Sequence, residues 1–157
     1  MGKVSRDVPL AEITLRKYEK PERLKGRELV KKACLSIGLL QPGDSRDVVV
    51  DILHVLLKHK SRKKALTCPE IESFVIKNRK AHNLVLLGIA SSNIRRQLKR
   101  LREVFLLEKV KNKYRITEFA DHSEIFDEKF DKFLLQSTMQ RVREHFVKLD
   151  EEFGAKR

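Results

Sequence analysis

From Ser91 onward the apolar residues Ile94, Leu98, Leu101 and Phe105 recur at steps of four, three and four, which is one face of a helix. Arg95, Arg96, Lys99, Arg100 and Arg102 cover much of the remaining surface. Ser91 and Ser92 stand where a serine caps a helix start, by accepting a hydrogen bond from an otherwise unpaired backbone N–H. The period then changes. Leu106–Val110 and Tyr114–Thr117 are short strand-like runs around Lys111-Asn112-Lys113, a turn in which Asn112 can take positive φ.

Upstream, residues 1–9 are polar and read as frayed, and Leu10–Tyr18 alternates in part (Ile13, Leu15) as an edge strand or extended arm. Pro21 starts a helical stretch with Leu24, Leu29, Val30, Ala33, Cys34 and Ile37 on its apolar face and Gly38 near its end. After a Pro42-Gly43 turn, Asp44 or Ser45 caps a second helix, with Val48, Val49, Ile52, Val55 and Leu56 inward. The cations from Lys58 to Lys64 close it, favourable at a helix C-terminus. Thr67-Cys68-Pro69-Glu70 is a capping box opening a helix with Ile71, Phe74 and Val75 on one face. Asn78–Ala90 follows, with Leu84 to Leu87 before Gly88.

Beyond Asp121 the pattern predicts helix to about Phe153, with Gly154 as a stop. Leu135, Met139, Val142, Phe146, Leu149 and Phe153 step by four, three, four, three and four, a heptad seam that favours a partner helix, most simply that of a second copy. Ile125, Phe126, Phe130 and Phe133 form an apolar group in another register, which predicts a bend or a change of partner near Leu134. The plain alternative is that both groups pack on the chain's own core.

Composition narrows the partner. The 157 residues carry a formal charge of +13 and a pI near 9.9, with 41% hydrophobic and 6% aromatic residues, enough for an aliphatic core. Residues 118–157 hold 10 acidic and 7 basic side chains, so the whole basic excess lies before them. A polyanion, and nucleic acid first, is the expected partner. A membrane surface is not expected, since no basic segment has a bulky apolar face. The high Lys, Arg and Glu content leans towards a thermophile source. Cys34 and Cys68 are single and far apart, which points to a reduced, cytoplasmic setting, or a nuclear one in a nucleated cell. No early stretch resembles a signal peptide, and the longest apolar runs are too short to span a bilayer.

From Ser45 to Thr117 the chain resembles the winged-helix regulators of archaea and bacteria, and SSNIRRQLKRLREVFLLEKVKNKYRIT carries most of the similarity. The resemblance covers somewhat under half the chain. It implies that a first helix (Ser45–Lys58) supports the core, and that a second (Thr67–Lys77) crosses behind a third (Ser92–Val104) that enters the DNA groove. One departure is about ten extra residues between the second and third helices, which lengthen the second or add a small one. The expected fold is mainly α with a small β-hairpin: a winged helix-turn-helix (44–120) between an N-terminal extension of arm plus helix (1–43) and a long C-terminal dimerisation helix (121–157).

Under this reading Asn93, Arg96, Lys99 and Arg100 point away from the core, Arg95 flanks them, and Ser92 and Asn93 sit where a phosphate or base can be bonded. Arginine suits guanine edges and asparagine adenine. On the wing, Lys109, Lys111, Asn112, Lys113 and Arg115 contact backbone phosphates. Lys58, Lys60, Arg62, Lys63 and Lys64 form a further candidate clamp. The plain readings are a solvated basic face, and lysines that discourage edge-to-edge aggregation. His54, His59, His82, His122 and His145 lack the close pairing of zinc ligands, so no metal or other cofactor is expected. No catalytic signature occurs, and Asp127, Glu128 and Asp131 beside Lys129 and Lys132 read as a solvated face. The sequence thus predicts no enzyme but a dimeric regulator of transcription binding double-stranded DNA. The alternative is a winged-helix adaptor or architectural protein that binds protein or RNA.

Overall fold

The structure is a computed structural model and describes residues 6–155. The first residues of the stretch expected to be frayed, 1–5, lie outside the described residues, as do the last two of the C-terminal segment. Six α-helices, a two-stranded sheet and a π-wound stretch follow one another along the described chain. They are α1 (Gly26–Ser36), α2 (Val48–Lys60), α3 (Cys68–Ala81), α4 (Ser91–Glu103), β1 (Leu107–Val110), β2 (Lys113–Ile116), α5 (His122–Ile125), the π stretch (Phe126–Leu135) and α6 (Gln136–Phe153). The molecule is mainly helical, with one small antiparallel sheet and a long C-terminal helix.

α2 is the centre of the core. Every residue from Val48 to Leu56 is buried, and α1, α3, α4 and β2 all pack against it. An apolar helix buried on all sides explains why its sequence shows little amphipathic period. The expected caps Asp44 and Ser45 fall short of the helix. Asp47 takes the cap position, yet its carboxylate accepts no bond from the helix N-terminus. Asp44 instead accepts the backbone N–H of Arg46 at 2.9 Å, closing the turn before the helix.

Three helices end alike, with the residue after the cap in the left-handed region and two reversed hydrogen bonds. In α1 this residue is Gly38 (φ 75°), which bonds Leu35 while Leu39 bonds Cys34. A Cβ there would lie 2.6 Å from Cβ of Thr14, so the close crossing of the arm requires glycine. In α3 it is Asn83 (φ 54°) and in α4 Phe105 (φ 65°). Phe105 therefore does not continue the buried stripe of α4. It turns the chain into β1, and its ring meets Phe133 at 6.3 Å.

The N-terminal arm is extended and forms no strand. Arg16 fastens it to the end of α1, donating to the carbonyls of Leu35 (2.9 Å) and Leu40 (3.0 Å) and to Oε1 of Gln41 (2.6 Å). α1 starts at Gly26, later than Pro21 suggested. Its buried residues are Arg27, Val30 and Cys34, whereas Leu29 is exposed.

A buried ionic cluster ties the helices together. Arg27 and Arg79 each reach both Asp47 and Asp51, at 2.7–3.1 Å. Asn78 donates to Asp51 at 2.9 Å. Two guanidiniums and two carboxylates cancel in charge, and the shared hydrogen bonds are what make such burial tolerable. Burial alone would raise the carboxyl of Asp47, but the bonds from Arg79 and Arg27 prevail and hold it below its ordinary range. The guanidinium of Arg27, which burial alone would lower, is raised by its bonds to Asp51 and Asp47.

The inserted segment lengthens α3 to Ala81 and then forms a loop rather than a second small helix. Arg79 Nε donates to the carbonyl of Val85 at 2.8 Å, so the ionic cluster also clamps this loop. Gly88 takes φ 75°, and a Cβ there would press on Val48 and Asn93.

The C-terminal segment is helical throughout from His122 to Phe153, with wider winding over Phe126–Leu135. A π turn holds more residues than an α turn and so shifts the phase of the side chains that follow. That shift is the physical origin of the register change expected near Leu134. Ile125 and Phe130 are buried on the core, with Phe126 stacked on Phe130 at 5.1 Å. No helix among the described residues is long and apolar enough to cross a membrane.

Candidate nucleic-acid interface

α4 is placed by its apolar stripe. Ile94, Leu98 and Leu101 are fully buried, against α2 and α3. That anchoring decides which cations face outward. Arg95, Arg96, Lys99 and Arg102 are exposed, as are Ser91 and Ser92. Neither serine caps the helix: Ala90 holds the cap position and both serines lie in the first turn, their side chains on the exposed side.

Two of the expected outward residues are held by the chain itself. Asn93 donates to the carbonyl of Gly88 at 2.7 Å, and its oxygen accepts from Arg96 (2.8 Å) and Gln97 (3.2 Å). Its amide is committed to pinning the loop ahead of α4. Arg100 is half-buried and donates to the carbonyl of Leu39 (2.9 Å) and to Gln97 (2.7 Å). It joins α4 to the end of α1 and does not project to solvent. Both lie at the edge of the buried stripe, about 100° per residue from its members, where a small phase difference decides between outward and inward.

The hairpin turn is one residue shorter than expected, because Lys113 joins β2 while β1 still ends at Val110. Val110 pairs with Lys113 across the two-residue turn Lys111-Asn112, and both turn residues have positive φ (49° and 65°). That is the turn whose twist matches two antiparallel strands. Leu66 adds a bridge to β2, exchanging backbone bonds with Tyr114 at 2.9 and 2.7 Å. Lys109, Lys111, Asn112 and Lys113 are exposed, and Lys109 lies over the Tyr114 ring at 5.5 Å. Arg115 departs from expectation: it is half-buried, paired with Glu108 at 2.5 Å and stacked on Phe119 at 4.9 Å. Burial would raise the carboxyl of Glu108, but the backbone N–H of Glu118 and the side chain of Arg115 hold it below its usual range.

The exposed cations converge. Arg95, Lys109, Asn112 and Tyr114 line an open basin of about 650 Å³ with Thr67, Cys68 and Pro69 at the start of α3. The capping box there is complete, with Glu70 bonded back to the Thr67 N–H at 3.1 Å. That bond holds the Glu70 carboxyl below its usual range, and the nearby charges of Lys64 and Lys113 add to the effect. Lys99, Arg102 and Lys109 line a shallower groove beside it, between α4 and β1. In the basic stretch after α2, Lys58 bonds Asn78 (2.9 Å) and Lys60 pairs with Asp121 (3.0 Å), while Arg62, Lys63 and Lys64 are exposed.

Among the described residues no group of three or more His, Cys, Asp or Glu is arranged to hold a metal ion. Cys34 is buried, and burial pushes its thiol up to about 12. Comparison with family models, curated proteins and solved structures returned no match.

Proposed function

We propose that the chain is a winged-helix DNA-binding protein acting as a regulator of transcription. α4 is its groove-reading helix and the β1–β2 hairpin its wing. The observation that carries this reading is the free basic surface itself. Arg95, Arg96 and Lys99 stand exposed on a helix whose opposite face is locked in the core, with Lys109, Lys111 and Lys113 on the adjoining hairpin. The inserted loop leaves these side chains uncovered. In this role Arg96 and Lys99 meet base edges in the major groove, while the hairpin lysines and Arg95 neutralise phosphates. Asn93 and Arg100 act on the shape of the surface and not on the duplex.

Binding to duplex DNA as a function of salt tests the reading. Neutralising about six to ten phosphates in a two-site complex gives a log–log slope of roughly −5 to −9. A flat slope, or no binding at low salt, removes the proposal. An adaptor role is the second reading, and the exposed loop Val85, Leu86 and Leu87 favours it, since three adjacent aliphatic side chains face solvent beside the start of α4. Replacing these three by serine leaves DNA affinity unchanged under the first reading.

A further inference from the structure

No residue of α6 is buried. Met139, Val142, Phe146, Leu149 and Phe153 are 63%, 51%, 62%, 50% and 78% exposed, and they fall on one heptad stripe. Only Leu135, at the junction with the π stretch, is half-buried. The N-terminal arm flanks the first half of the stripe, where residues 6–11 lie beside Ser137, Thr138, Arg141, Val142 and His145. From Phe146 onward the stripe is open.

Charge is uneven along α6: Arg141, Arg143 and Lys148, with Glu144 among them and paired to Arg141 at 2.8 Å, precede a last turn of Asp150, Glu151 and Glu152. We propose that the stripe is covered by α6 of a second copy of this chain, running antiparallel. A parallel pair would set two acidic last turns side by side at the negative ends of both helix dipoles. The antiparallel pair turns each acidic end towards the basic half of the other helix and opposes the two dipoles. A lipid surface fits poorly, because the three carboxylates crowd the open end of the stripe. This inference stands apart from nucleic-acid binding and is tested without DNA.

Light scattering gives the mass. The wild-type chain is a dimer at micromolar concentration, and Phe146→Glu is a monomer with the same core unfolding transition, because α6 contributes nothing to the core. Leu149→Glu serves the same purpose at a second position. A monomeric wild-type chain, or variants that stay dimeric, overturns the proposal. Spin labels placed one at a time at Ser137, Glu144 and Glu151, which share one heptad position, read the direction. The background carries Cys68→Ser, and Cys34 is buried. In the antiparallel pair the two-fold axis lies near Phe146, the middle of the stripe, so the Glu144 labels are nearest. Those at Glu151 and Ser137 are farther apart along the axis by roughly 9 and 21 Å, since each residue from the two-fold axis adds about 1.5 Å per copy. Three equal distances overturn the antiparallel arrangement.

Discussion

α4 and α6 have nearly the same kind of sequence and opposite fates. Each carries apolar residues at steps of three and four on a charged background. α4 buries all of Ile94, Leu98 and Leu101, whereas α6 buries nothing. Periodicity reports that a helix has an apolar face and says nothing of what covers it. The difference lies in the neighbours. α4 is followed at once by a hairpin that folds back over α2, while α6 leaves the core after the π stretch has turned its side chains to a new phase.

The strongest way to break this contrast is to attack the buried charges that organise the core beside α4. Asp51→Ala leaves Arg27 and Arg79 facing Asp47 alone. It is expected to cost about 3–5 kcal/mol of unfolding free energy. The exposed pair Arg141–Glu144 on α6 is the control, since Glu144→Ala should change the same urea transition by less than about 0.5 kcal/mol. Equal effects would mean that α6 belongs to the folding unit after all.

Next in size come the apolar stripes. Leu98→Ala should cost about 2–5 kcal/mol in the core transition, because the cavity opens where α4 meets α2 and α3. Leu149→Ala should leave that transition in place. Chemical denaturation of both variants at one protein concentration decides it.

A pH scan sharpens the comparison. Burial, reinforced by the charges of Lys58 and His82, pushes His54 down to about 4. Its Nδ1 faces the Asn78 amide at 3.2 Å, an arrangement that needs the nitrogen unprotonated. The folded pKa lies below that of the unfolded chain. Stability is therefore whole above about pH 6.5 and falls as pH drops to about 4, by roughly 3 kcal/mol in all. His54→Gln should flatten this part of the curve. A curve as steep in the variant would assign the loss elsewhere.

The smallest expected effect lies within α4. Arg100→Ala removes bonds to Leu39 and Gln97 and should cost about 1 kcal/mol of stability. Arg96→Ala, on the exposed side, should cost less than about 0.5 kcal/mol. Reversed ranks would restore Arg100 to the outward face on which the sequence pattern had placed it.

Much of the architecture is legible in the sequence because its signals are local. The capping box at Thr67, the turn at Lys111-Asn112 and the buried stripe of α4 each lie within one element. The box forms as expected, the turn forms one residue shorter, and the stripe forms without Phe105. What escapes is what joins distant elements. Arg27, Asp47, Asp51 and Arg79 look like ordinary charges one by one, and only Asp51, set among Val48 to Leu53, carries a hint of burial. Phase alone points Asn93 and Arg100 outward, and nearness to the hairpin tip does the same for Arg115, but carbonyls of the α3–α4 loop and of the stretch after α1, together with Glu108, claim them. Phe105 ended a stripe by spacing, yet it takes a left-handed turn more usual for glycine.

The π stretch makes α6 separately adjustable. Removing one residue between Phe126 and Leu135, with the wide winding kept, would rotate everything beyond about its own axis by up to about 100°. Neither the core nor the stripe would change in sequence. Insertions and deletions are usually tolerated only in loops, but here a helix interior holds a position where a change of length acts as a dial. Descendants of this chain could re-aim their C-terminal helix in one genetic step while every buried contact around α2 stayed as it is.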